Sequence, residues 1–144
     1  MNAPKLVKVC WAAPCTAIGL LLACIPLALG GKARLHTGAI EVCYRERIAD
    51  CGQVARTLPF RGIVFGHVIL AVSNEELLRI GPHERVHVQQ YERWGIAFFI
   101  AYPLSSVWQL LCGRHPYRDN HFEVEARMHS MVVTGPSSEG LQAE

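Results

Sequence analysis

Five consecutive residues carry the clearest chemistry in the chain: His83, Glu84, Arg85, Val86 and His87. On a helix, positions i and i+4 share a face one turn apart. Two imidazoles so placed reach a single Zn²⁺ at about 2.0–2.1 Å. Glu84 then projects about 100° around the helix from His83. From there it approaches a water acidified by the metal without displacing an imidazole, which is the placement of a general base in hydrolysis. Val86, Gln90 and Trp94 continue a 3.6-residue period, so the stretch reads as a helix.

A catalytic zinc site also requires a third protein ligand and an open fourth position. His115, Asp119, His121, Glu123, Glu125 and His129 follow the motif and are the candidates. The run 119–127 opens with polar residues and continues with good helix formers, so Asp119 or Asn120 is expected to cap a second helix. Glu123 and Glu125 stand two positions apart and cannot both face one metal from a helix.

The pair of segments His83-Glu84-Arg85-Val86-His87 and Phe122-Glu123-Val124-Glu125-Ala126 resembles the gluzincin zinc metallopeptidases. It is most similar to the membrane-bound CAAX-prenyl-protease and heat-shock-protease type, over residues 62–127. In that family a glutamate on a second helix is the third ligand, in a pattern like F-E-x-x-A-D. Matched residue by residue, Glu123 takes the ligand position and Ala126 the small one. Arg127 stands where the family has aspartate, a carboxylate that would orient a histidine ligand. The longer pattern H-E-x-x-H-x-x-Q, completed by Gln90, also resembles compact bacterial zincin-like domains. The resemblance implies Zn²⁺ held by His83, His87 and Glu123, Glu84 as the catalytic base, and a peptide or protein substrate.

Other elements must hold these two helices together. Ala39 to Arg45 alternates, with Ile40, Val42 and Tyr44 on one face and Glu41, Cys43 and Arg45 on the other, and predicts a half-buried strand. The β-branched run 62–72 predicts a second, well-covered strand that carries His67 as a satisfied core histidine. Ser73 is a candidate N-cap, with Glu76 three residues on as in a capping box. Gly81-Pro82 predicts either a boundary between two helices or a kink in one. Residues 95–112 carry no charge and, taken alone, qualify as a membrane span. The zinc reading forbids that, because a straight helix of this length would hold His87 and Glu123 about 27 Å apart. An apolar hairpin is expected instead, broken at Pro103 and Ser105-Ser106, with arms 96–102 and 104–112. Arg114, His115, Tyr117 and Arg118 read as a solvated turn, from which one group could stabilise an oxyanion.

Lys5 and Lys8 precede an uncharged run from Val9 to Gly31, long enough to cross a bilayer. It exceeds the roughly 7–15 residues of a secretory signal's apolar region. An uncleaved anchor is expected, in a bacterial-type inner membrane or cell envelope, with a cleaved signal and secretion as the alternative. Basic residues flank the run on both sides, so the positive-inside rule leaves orientation open.

Composition sets the remaining bounds. The 144 residues, 51% hydrophobic and 18% charged, exclude a mainly disordered chain. A net charge of +2 without a basic stripe interleaved with aromatics excludes nucleic acid as the expected partner. The six cysteines form no C-x-x-C, which excludes a zinc ribbon. Cys43 and Cys51 either pair in an oxidising compartment or stay reduced. The expected fold is α+β. Residues 1–31 form a transmembrane signal anchor, and 32–134 a minimal zincin-like domain with the apolar hairpin 95–112. That domain joins a short β-sheet to the HExxH helix and a ligand helix, and 135–144 form a disordered tail. The expected function is that of a membrane-associated zinc metallopeptidase. The alternative is a catalytically inactive membrane-associated protein that binds zinc or regulates a partner.

Overall fold

The computed structural model describes residues 3–53 and 57–133; the expected tail 135–144 lies outside the described residues. The architecture is α+β, with a mixed four-stranded sheet covered by helices on both faces. Helix α1 (Ala3–Ala28) leads into strands β1 (Lys32–His36) and β2 (Ala39–Arg45). A 3-10 turn (Ile48–Cys51), strands β3 (Gly62–Phe65) and β4 (Val68–Ser73) and helix α2 (Asn74–Trp94) follow. A second 3-10 turn (Gly95–Ala97) then joins α3 (Phe98–Leu111), and α4 (His121–Val133) ends the described chain.

The strand order is β1-β2-β4-β3. The outer pairs are antiparallel hairpins, and the central pair β2–β4 is parallel. Thr37 and Gly38 both have positive φ, 49° and 86°, as a two-residue type I′ turn requires. Gly66, at φ 59°, opens the other hairpin. The run 62–72 is therefore two strands rather than the single one expected. Its apolar residues are continuous, but Gly66 takes a backbone conformation that its β-branched neighbours would resist, and the chain reverses there. His67 consequently sits in the turn, not on a strand.

Strand β2 has the expected bounds, but both of its faces are covered. Val42 packs with Val68 and with Ala23 of α1, while Cys43 joins Ile69, Leu77 and Val88 on the α2 side. Glu41 shares that second face and is 1% exposed. It is tolerated there because Arg34 Nε and Arg85 Nη2 each donate to its carboxylate at 2.7 Å. Cys43 and Cys51 are both buried and both free.

Helix α2 runs unbroken through Gly81-Pro82. Its start is the predicted one: Ser73 Oγ accepts from the Glu76 N–H at 3.1 Å. Only half of the capping box forms, since the Glu76 carboxylate turns to Arg79.

The expected break at Pro103 does not occur. Proline lies inside α3, and the chain bends earlier, at Gly95, where φ is 55° and the N–H closes on Tyr91 O. A helix loses one hydrogen bond at an internal proline, whereas a left-handed glycine ends it outright. The return toward the motif comes after α3 rather than within it. Ser105 Oγ accepts from the His121 N–H, and Ser106 Oγ accepts from Asn120 Nδ2, so the serines anchor the start of α4.

Two helical stretches, Lys5–Ala28 and Asn74–Leu111, are long and apolar enough to cross a membrane by length and composition. Helix α1 also belongs to the core. Its Ala12 and Cys15 are buried in one cluster with Ile69, Tyr91, Phe98 and Phe122.

Candidate metal centre

His83 and His87 project from one face of α2, and Glu123 meets them from the first turn of α4. Helix α4 is placed by its cap, because Asn120 Oδ1 accepts from the Phe122 N–H at 2.9 Å while its amide donates to Tyr102 O and Ser106 Oγ. Phe122 and Ala126 are buried on the inner side of α4, flanking Glu123. Phe122 rests against Phe98 and Trp94.

The two Nε2 atoms lie 3.2 Å apart. Glu123 Oε2 is 3.2 Å from His83 Nε2, and Oε1 is 3.4 Å from His87 Nε2. Tetrahedral ligands bonded at about 2.0–2.1 Å stand about 3.3 Å from one another. The histidine pair matches that edge, while Glu123 meets each imidazole with a different carboxylate oxygen; one ligand atom from each residue lies within 4.8 Å of the others.

Gln90 determines which nitrogen of His87 carries hydrogen. Its Nε2 donates to Phe122 O at 3.0 Å and to Glu125 Oε2 at 2.8 Å. Turning the amide over would set its oxygen against two acceptors. Gln90 Oε1 therefore faces His87 Nδ1, 2.8 Å away, and Nδ1 donates. That leaves the Nε2 lone pair pointing into the cluster. Glu123 Oε2 is buried and accepts no hydrogen bond among the described residues. Tyr102 Oη donates to Oε1 at 2.6 Å. A carboxylate and an imidazole lone pair thus converge on one point, and the donor set fits a divalent cation such as Zn²⁺.

The electrostatics follow from burial and neighbours. Burial pushes the Glu84 carboxyl up from its ordinary value, and the imidazoles of His87 and His83 only partly oppose it. For Glu123 burial also acts upward, but the neighbouring imidazoles of His83 and His87 and the hydroxyl of Tyr102 outweigh it and hold this carboxyl well below the usual range. Glu84 lines a cleft of about 830 Å³ with both histidines, Glu123, Tyr117 and Arg127. Edge strand β3 forms its rim. A side chain at Gly62 would collide with Ile80 and reach the Glu84 carboxylate, so glycine makes room for that group.

The other candidates lie elsewhere. Glu125 binds Gln90 and Arg93. Asp119 accepts from the His115 N–H, and His115 Nδ1 accepts from the backbone of Tyr117 and Arg118, closing the turn. The His121 ring is exposed beside Phe122, and His129 is exposed. Among the described residues, His83, His87 and Glu123 form the one cluster of three or more such groups able to hold a metal ion. Arg127 binds the Arg118 carbonyl at the cleft. His67 has its partners in Thr16 and Glu92. Tyr102 escaped sequence reasoning because an apolar run gives its hydroxyl no signal. Glu41 and Arg85 escaped it because strand alternation placed Glu41 toward solvent.

No protein-family model matches the chain, and neither a curated protein nor a solved structure is significantly similar to it.

Proposed function

We propose that the chain is a membrane-associated zinc metallopeptidase of minimal zincin-like fold, with His83, His87 and Glu123 as ligands and Glu84 as general base. The observation that carries this reading is the convergence of two imidazoles and the Glu123 carboxylate, with ligand atoms within 4.8 Å of one another and the His87 tautomer held by Gln90. When bound, zinc supplies a Lewis acid that acidifies water and polarises a carbonyl.

The chain's own groups do the rest. Glu84, buried and with a raised proton affinity, takes a proton from water and delivers it to the departing amine nitrogen. Gln90 and Tyr102 keep the ligand side chains oriented. Among the described residues strand β3 pairs with β4 alone, and its residues line the cleft. An extended peptide added along that edge presents its backbone to the site. The experiment is a metal analysis of the purified chain together with a peptidase assay, comparing wild type with His83→Ala and Glu84→Gln. Metal lost in the first and kept in the second, with hydrolysis lost in both, is the expected result.

Arg127 favours a second reading, a membrane-associated zinc-binding protein without catalysis. It places a cation at the cleft where the resembling family has a carboxylate. Stoichiometric zinc in a wild-type chain that cleaves no peptide is the outcome that selects it.

A further inference from the structure

Helix α1 lies along the domain rather than leading away from it. Near its start, Lys8 Nζ is 3.9 Å from Glu92 Oε2, and Trp11 packs against Gly95. Midway, Thr16 Oγ1 accepts from the His67 N–H at 3.1 Å and sits 3.2 Å from its Nδ1. Farther on, Gly19 is pressed against Val68 and Phe65, and Ala23 is buried with Val42 and Val68. At the end, Leu29 O accepts from Arg45 Nη1 at 3.1 Å.

These contacts give the relative direction of the layers. Strand β2 runs beside α1 in the same sense, with Ile40, whose N–H donates to His67 O, at the level of Thr16 and Arg45 at Leu29. A helix of 26 residues is about 39 Å long, more than the roughly 30 Å of hydrocarbon in a bilayer. Were α1 to cross it, the sheet would be carried in alongside. The Glu41 cluster with Arg34, His36 and Arg85 would then enter hydrocarbon, and so would His67 and Glu92. Strand β1, all five residues exposed and its outer edge unpaired among the described residues, would enter as well. Exposed sheet edges and ion clusters do not persist in lipid.

The opposite side of α1 is apolar throughout. Val7, Ile18, Leu21 and Ile25 are between 40% and 73% exposed, and α1 contains no acidic residue. Lys5, Lys8 and Lys32 are exposed at its two ends. Helix α3 follows the turn at Gly95, against which Trp11 packs, and it exposes Ile100, Leu104, Trp108 and Leu111 on one face.

We infer that α1 is an in-plane attachment to the surface of an anionic phospholipid bilayer, its outer face in the acyl boundary and its lysines among the headgroups, and not a transmembrane span. Lipid covers the apolar face that the domain leaves open, and the charged clusters stay on the aqueous side. This inference does not depend on the proposed catalysis.

The test uses the full chain on sealed vesicles of phosphatidylcholine and phosphatidylglycerol. Epitope tags at both termini are exposed to external protease. In-plane attachment predicts that both tags are cleaved in the same vesicles, and that binding falls sharply when phosphatidylglycerol is omitted or salt is raised. One tag protected until detergent is added would overturn the inference, as would failure of the chain to bind these vesicles. An Ile18→Trp variant gives a second measurement. Its added fluorescence should lose more intensity to lipids brominated near the headgroup than to lipids brominated near the chain ends. The reverse order would place residue 18 at the bilayer centre and overturn the inference independently.

Discussion

Glu84 and Glu123 are both buried carboxylates within one cleft, yet their surroundings push them in opposite directions. Among the described residues no cationic side chain donates to Glu84, so desolvation dominates and its proton is held more tightly. Glu123 accepts from Tyr102 beside two imidazoles and is held below its ordinary value. That division suits a base and a ligand respectively. Glu84→Gln is expected to lower peptide hydrolysis by at least about 100-fold while zinc content stays at the wild-type level. Parallel activity and metal measurements check it, and equal loss of metal would remove Glu84 from the role of base. Glu123→Ala should lose zinc outright, whereas Glu125→Ala should not, because Glu125 reaches the site only through Gln90. Gln90→Ala should weaken zinc by about 10–100-fold, since it frees the His87 tautomer. Competition against a chelator measures all three.

At the scale of elements, the orientation of α2 against the sheet rests on Arg85, the variable third residue of the motif. Its Nη2 donates to Glu41 at 2.7 Å, tying the helix to β2 from the side opposite the histidines. Arg85→Met should lower stability by about 1.5–3 kcal/mol, the range for a hydrogen bond to a charged group. Urea denaturation reads it as a lower midpoint. Burial tends to raise the Glu41 carboxyl, but Arg34, Arg85 and His36 together hold it below its ordinary value. A carboxyl lowered in the folded state contributes stability that is complete above its unfolded value, near 4.3, and is lost as pH falls through the folded value. The stability difference between wild type and Glu41→Gln should therefore be constant above about pH 5 and shrink as the solution is acidified below about pH 4. A difference that grew on acidification would show that Glu41 is not the depressed group.

Over the whole molecule, α1 is a structural layer of the domain as well as the helix we propose meets the membrane. It covers Val42 and Val68 and contributes Ala12 and Cys15 to the central cluster. Each medium-sized apolar side chain uncovered costs about 1.5–3 kcal/mol. Domains of this size have only about 5–15 kcal/mol in hand. A chain beginning at residue 32 is therefore expected to aggregate or to lack a cooperative melting transition, as thermal denaturation followed by circular dichroism will read. A stable, soluble 32–144 fragment would support a cleaved signal in place of a resident helix.

What the sequence determined by itself was local. The spacing of His83 and His87, the Ser73 cap, the bounds of β2 and a cap at Asp119 or Asn120 depend on residues within one helical turn or one strand, where backbone geometry dictates what can meet. The α+β class followed from those same periods. Tertiary structure decided the rest, because contacts between distant segments are selected by packing and not by spacing. Glu123 rather than Glu125 turns inward because Phe122 and Ala126 bury the side of α4 that carries it. Tyr102 acquires a partner only once Gly95, rather than Pro103, redirects α3. His67 is satisfied by Thr16, fifty-one positions away. The fate of the apolar N-terminal run was likewise beyond local reading, since length and hydropathy are the same for a helix that crosses a bilayer and for one that a sheet holds against its surface.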